Sequence, residues 1–299
     1  MRVWLHIFAS VLFGKMTAQN GMLSFEIEKG NSTCSTAECQ LGRYNAQFVE
    51  STPLYVRTAL LRSYARLLHG VRQLQRAPLE QLTNTTALIT VIRAIGLTPL
   101  ADSKELSIWY GAESVHAIPG ANKPVGMWQI PQQLSCLLCK MSAWRVSTVL
   151  EIGTWSGWTA IVFAAYLSRF APANVASPYT SFRLDTFDPR IYLTPWVQRL
   201  MATLGVHYHN AASQDVGDDD DLPLRYDVCI LDGHHKASTL WKELAVLHGR
   251  CARVVLHDIV NHLVDADYRA CWGELRLNHP SRWEECIEQP PGTQSMMGF

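Results

Sequence analysis

Residues 146–167 hold the feature that most restricts this chain. An apolar run from Val146 to Ile152 carries one acid, Glu151, near its end. Gly153 and Gly157 follow, and then an apolar segment from Trp158 to Leu167, long enough for a helix. The order predicts a buried strand, a glycine turn and a helix N-terminus. Glycine lets the backbone turn sharply and approach a ligand closely. A helix N-terminus offers free N–H groups. A nucleotide-like ligand suits such a turn. Taken alone, the stretch also fits an ordinary strand–turn–helix of an α/β protein.

Spacing separates the nucleotide classes. A dinucleotide fold uses G-x-G-x-x-G. Here the two glycines stand four apart, Trp155 lies between them, and Glu151 precedes Gly153 by two. The pattern resembles the first motif of class I S-adenosylmethionine-dependent methyltransferases. That resemblance implies that Glu151 lies near the methionine part of the cofactor. It also implies that Gly153, Thr154 and Gly157 belong to the turn that carries the cofactor.

The segments downstream repeat the same logic. Phe182 to Asp188 reads as a second strand ending in an acid. Such an acid accepts hydrogen bonds from ribose hydroxyls in Rossmann-like sheets. Asp188 is the first candidate and Asp185 the reserve; without its neighbours, Asp188 before Pro189 would read as a turn residue. Residues 171–180, rich in Ala, Pro and Ser, read as an inserted loop. A third strand, Val206 to His209, leads into Ala212-Ser213-Gln214-Asp215. Catechol-type O-methyltransferases carry a similar stretch, and the likeness implies that Ser213 and Gln214 contact the adenine. Asp218 to Asp221 form a charge run whose plain reading is solubility.

Tyr226 to Asp232 reads as a central strand, apolar enough to be buried on both faces. Asp232-Gly233-His234-His235 follows it, and a helix is expected over Ser238 to His248. A fifth strand, Val254 to Leu256, ends in His257-Asp258. This pairing resembles the sugar O-methyltransferase branch of the family, and catechol-type enzymes use the same places. The resemblance implies that Asp232 and Asp258 hold a divalent metal, magnesium or manganese, with His257 where relatives often carry an acid. It places His235 as general base and gives Asp232 a part in cofactor binding. Magnesium prefers oxygen ligands, so a nitrogen there favours a borderline metal. The plain alternative is that His257 packs beside the strand and no metal binds. Trp283 to Gln289 and Ser295 to Phe299 read as two last strands, the final one antiparallel.

The resemblance covers residues 124–299 and implies a Rossmann-like methyltransferase sheet, mostly parallel, preceded by an N-terminal helical region over 19–123. Within that region, residues 53–76 keep helical apolar spacing, with Arg57, Arg62, Arg66, Arg72 and Arg76 around the helix. Thr86 to Ile95 reads as another helix. Residues 1–18 read as a signal peptide or short anchor, since Arg2 precedes an apolar run from Val3 to Phe13. Membrane contact is expected there if anywhere. Two sequons, at Asn31 and Asn84, suit a lumenal protein. Cys34 and Cys39 can pair in that setting. The secretory pathway is favoured over the cytoplasm. Cys136 and Cys139 form a lone C-x-x-C in a helical stretch, which reads as buried thiols rather than a metal or redox site.

Lys and Arg total 26 and Asp and Glu total 26, so the formal net charge is zero. Bulk attraction to nucleic acid is not expected. The activity implied is methyl transfer to a hydroxyl of a small molecule or sugar. A non-catalytic cofactor-binding member of the fold and a nucleotide-dependent oxidoreductase remain as alternatives. A metal oxygenase using His235, His257 and a carboxylate is a further one.

Overall fold

The computed structural model describes residues 16–19, 22–25, 54–95, 126–127, 129–171, 182–217, 221–259, 266–279, 284–286 and 297–298. The Cys34–Cys39 pairing, the Asn31 sequon and nearly all of the inserted loop and the aspartate run lie outside those residues. Two compact units divide the chain, Met1–Arg57 and Thr58–Phe299. In the first, β1 (Met16–Gln19) pairs antiparallel with β2 (Met22–Phe25).

The second unit holds the sheet. β3 (Thr148–Ile152) lies at its centre, parallel to β4 (Arg183–Phe187) on one side and β6 (Val228–Leu231) on the other. β5 (Val206–His209) extends the first side, and β7 (Val254–Leu256) the second. β9 (Met297–Gly298) is antiparallel to β7 and to the edge strand β8 (Glu285–Cys286). The order is β5-β4-β3-β6-β7-β9-β8. The Rossmann-like fold is thus present, five parallel strands flanked by an antiparallel pair. The chain winds outward from β3 in both directions, so the switch point lies between the C-terminal ends of β3 and β6. Ligands of open α/β sheets bind at such a point.

Burial explains the central strands. Every residue of β6 is buried, and in β3 all but Thr148. The helix after the glycine turn, Trp158–Leu167, has nine of its ten residues buried. A helix apolar on all sides needs cover on all sides. The sheet covers one face, and the long helix Leu54–Arg76 covers another. The Tyr64 ring of that helix packs at a tilt, 4.3 Å from Trp196 and 6.4 Å from Trp158, and its hydroxyl donates to Thr194 Oγ1. Arg169 donates to the Leu74 carbonyl, and Tyr166 to the Leu82 carbonyl. The helical region from residue 58 onward therefore shares one compact unit with the sheet. Helices Leu79–Leu82 and Thr85–Ile95 continue it, and the latter packs on helix Pro131–Ala143.

Two disulfides tie this unit. Cys136 joins Cys286, with Cα atoms 5.8 Å apart across 150 residues of chain. Cys229 joins Cys251 at the same Cα separation across 22 residues. The expectation of buried thiols at the C-x-x-C is corrected for Cys136. Of the two, Cys139 stays a thiol, half-buried beside the Thr85 hydroxyl. The two cysteines lie on one helix, and Cys136 faces the C-terminal strands.

Candidate functional site

The turn after β3 is built by glycine for reasons internal to the protein. Gly153 has φ +102°, and a Cβ there would lie 2.1 Å from the Asp232 carbonyl oxygen. Gly157 has φ +76°, and a Cβ there would press on Leu193, Met201 and Val197 at 2.7–2.9 Å. The first glycine lets β3 and β6 end side by side. The second lets helix Pro195–Thr203 pack against the turn. Trp155, between them, also has a positive φ, +44°. Its N–H donates to Asp188 Oδ2 at 2.9 Å.

Three acids line the crevice that results. Glu151 is buried and accepts a 2.5 Å hydrogen bond from the Thr186 hydroxyl. Thr186 Oγ1 lies 2.6 Å from Thr154 Oγ1, which is buried too. Burial pushes the Glu151 carboxyl up to about 8; the Thr186 bond opposes this, and the charges of Asp232 and Asp188 add to it. Asp188 is held by two backbone amides, Trp155 N on Oδ2 and Arg190 N on Oδ1, both at 2.9 Å. That fixes its carboxylate at the end of β4. A cationic ligand would relieve the mutual repulsion of these acids.

Asp185, the reserve candidate, is engaged inside the protein. It is fully buried, and Arg183 donates to it twice, at 2.8 and 2.9 Å. His209 lies 3.1 Å away, and the Tyr226 hydroxyl donates at 3.0 Å. Burial raises the Asp185 carboxyl, but His209, Arg183 and Tyr226 bring it below its ordinary range. Its oxygens are committed to the core. Ser213 and Gln214 open a short 3-10 turn, Ser213–Gly217. Ser213 hydrogen-bonds the buried Glu243, while Gln214 is exposed.

The ends of β6 and β7 converge on a second cluster. One ligand atom from each of Asp232, His235, His257 and Asp258 lies within 4.8 Å of all the others. His257 Nδ1 is 2.9 Å from Asp232 Oδ1 and 3.3 Å from Asp258 Oδ1. His235 Nε2 is 3.4 Å from both carboxylates. Despite these distances, His257 Nδ1 and His235 Nε2 are buried without hydrogen-bond geometry to any partner. The nitrogens and carboxylate oxygens crowd one spot instead of pairing off. Asp258 is turned there by a left-handed backbone, φ +57°, a strained conformation that only fixed surroundings maintain.

Electrostatics follow from this crowding. Burial pulls His257 down, yet Asp232 and Asp258 lift it well above an ordinary imidazole. His235 moves upward in the same way, burial being outweighed by Asp232 and Asp258. Burial raises Asp232, and the His257 and His235 charges bring it below the usual carboxylate range.

Sequence reasoning places His235 apart from the metal trio; here its imidazole joins the same cluster. His234 points elsewhere, exposed, with Nδ1 3.4 Å from the Thr239 hydroxyl. Residues without a motif complete the surroundings. Gln129 Nε2 donates to Asp232 Oδ2 at 2.9 Å. The Tyr268 hydroxyl donates to the His257 carbonyl, and its ring meets His235 edge-on at 5.3 Å. Thr186 and Glu243 belong with them. Only Thr186, one residue before the end of β4, stood where the strand pattern points toward the crevice.

No family model matches the sequence, and neither does any curated protein. Among solved structures, the chain is similar to the O-methyltransferase TomG of Streptomyces achromogenes, determined with S-adenosylmethionine. The identity is 17%, the TM-score 0.43, and the match covers 57% of this chain and 80% of that one. It is also similar to an O-methyltransferase of Bacillus cereus determined with S-adenosylhomocysteine. There the identity is 14%, the TM-score 0.41, and coverage 56% and 80%. What this cleft does is decided by its own side chains.

Proposed function

We propose that this protein is an S-adenosylmethionine-dependent methyltransferase that moves a methyl group onto a hydroxyl of a small molecule or sugar. One observation carries the reading. Glu151, Asp188 and the Asp232–His235–His257–Asp258 cluster sit at the C-terminal ends of β3, β4, β6 and β7, around the switch point of a parallel sheet. The acids suit a cofactor that brings a sulfonium, an ammonium group and ribose hydroxyls. Asp188, fixed by two amides, keeps lone pairs for the ribose. Glu151 faces the cationic part.

When bound, S-adenosylmethionine would supply the methyl group to the acceptor oxygen and would leave as S-adenosylhomocysteine. The hydroxyl proton goes to His235 Nε2, which lies 3.4 Å from a carboxylate oxygen of Asp232 and of Asp258. Asp232 and Asp258 make that nitrogen a stronger proton acceptor by stabilising the imidazolium. Gln129 and Tyr268 hold Asp232 and the His257 backbone in place.

The residues also fit a divalent ion. Asp232, His257 and Asp258 would hold it, since the buried His257 Nδ1 finds no hydrogen bond among carboxylates only 2.9–3.3 Å away. When bound, such an ion lowers the pKa of a coordinated hydroxyl. An imidazole in the set fits manganese better than magnesium.

Calorimetry with S-adenosylhomocysteine, and methyl transfer to a panel of hydroxylated acceptors with and without manganese, test the reading. Absence of cofactor binding overturns it. Binding without turnover on any acceptor supports a non-catalytic member of the fold. His235→Ala separates roles: loss of turnover with metal affinity kept marks a base, and loss of metal affinity marks a ligand.

A further inference from the structure

The two disulfides carry information beyond the cleft. They join four cysteines whose partners lie 150 and 22 residues away, both within the unit that holds the sheet. Cys229 and Cys286 are buried. Structural disulfides persist in oxidising compartments and are rare where thiols are kept reduced. A sequon acquires meaning in such a compartment.

Asn84-Thr85-Thr86 lies in the turn between helices Leu79–Leu82 and Thr85–Ile95. Asn84 and Thr86 are exposed, and so are Pro78, Leu79, Glu80, Gln81 and Thr83 around them. Asn84 Oδ1 accepts the Ala87 N–H at 3.0 Å and caps the helix that follows. The cap uses only the oxygen of an exposed side chain, so Nδ2 is not needed for it. The turn is also remote from the cleft. Its Leu82 carbonyl accepts from Tyr166 and its Thr85 hydroxyl meets Cys139, both near the C-terminal ends of their helices. Those helix ends stand at the N-terminal edge of the sheet, opposite the crevice.

We propose that Asn84 carries an N-linked glycan and that the protein matures in an oxidising, glycosylating compartment. Asn84 Nδ2 attacks the anomeric carbon of a lipid-linked oligosaccharide. An N-glycosidic bond forms, and the lipid pyrophosphate leaves while the amide loses one proton. The helix cap survives, because Oδ1 is not consumed. The sugar projects from the closed end of the domain and leaves the crevice open.

The test is peptide mass spectrometry on the full chain from cultured eukaryotic cells, before and after a peptide-N-glycosidase. The expected result is a glycan at Asn84, converted to Asp by the enzyme, with Cys136–Cys286 and Cys229–Cys251 found as linked peptides. Asn84→Asp keeps a capping oxygen and removes the acceptor nitrogen. Thr86→Ala keeps Asn84 and removes the sequon hydroxyl. Each variant should lose one glycan, any glycan at Asn31 should remain, and affinity for S-adenosylhomocysteine should not change. An unmodified Asn84 in the wild-type chain, or those four cysteines recovered as free thiols, overturns the proposal.

Discussion

Replacing Asp188 by Ala isolates the contact on which cofactor binding should depend most. Its carboxylate is already fixed by Trp155 and Arg190 amides at 2.9 Å, so no ordering cost remains when ribose arrives. Two hydroxyls donating to a charged acceptor contribute about 1.5–3 kcal/mol each. Their sum, about 3–6 kcal/mol, corresponds to about a hundredfold to ten-thousandfold in affinity at about 1.4 kcal/mol per decade. Water entering the vacated space restores part of this, and at least about tenfold should survive. Asp185→Ala is the matched control. It leaves the buried Tyr226 hydroxyl and the partly exposed Arg183 and His209 without their acceptor, a cost of about 1–3 kcal/mol. That lowers the melting temperature by about 2–12 °C for a domain of this size. The assays are calorimetric titration with S-adenosylhomocysteine below both melting points and thermal melting of cofactor-free protein. The expected pattern is lost affinity in one variant and lost stability in the other. Unchanged affinity in Asp188→Ala, with affinity lost in Asp185→Ala, would refute the assignment.

His235→Ala should slow turnover by about 10²–10⁴-fold with little change in cofactor affinity, whereas His234→Ala should be mild; single-turnover rates and calorimetry check both. With His235 as the proposed base, turnover requires its neutral form; Asp232 and Asp258 raise it, so the wild-type rate should fall as pH drops through a value above an ordinary imidazole's. Glu151 has a folded value near 8 against an ordinary 4.5, so its contribution is fully present below the lower value and is lost as pH rises between them. Melting curves of cofactor-free wild type should therefore decline across that window relative to Glu151→Gln, and parallel curves would count against the burial argument. Cys136→Ser should cost on the order of 2–5 kcal/mol in denaturant unfolding, and a smaller loss would mean that the closed loop of 150 residues adds little.

Where the sequence announced structure, it did so through periodic apolar runs broken by glycine. The strand to Ile152, the helix from Trp158 to Leu167 and the strand Val206–His209 stand where the pattern put them. The strand expected from Tyr226 is shorter, Val228–Leu231, because Tyr226 makes only an isolated bridge to Cys251. The last hairpin is described only at Glu285–Cys286 and Met297–Gly298. Acids at strand ends were readable because strand direction places them together. Asp185 and Asp188 could not be separated by spacing alone; Arg183 and His209 separate them in three dimensions. Cysteine connectivity is likewise invisible to spacing. Gln129 and Tyr268 come from segments far along the chain, with no local pattern to single them out.

The Cys229–Cys251 bond turns part of the chain into a covalent ring. Inside it lie Asp232, His234, His235, Lys236 and the helix Ala237–Leu247, whereas His257 and Asp258 follow just outside. His234 and Lys236 are exposed on this ring. A protease that cuts after Lys236 therefore severs the backbone beside the cluster without releasing a fragment. The two halves stay joined, with Asp232 and His235 on one side of the cut and His257 and Asp258 on the other. Such a nicked molecule would run as one species until reduced, and only then come apart into the two pieces that each hold half of the cluster.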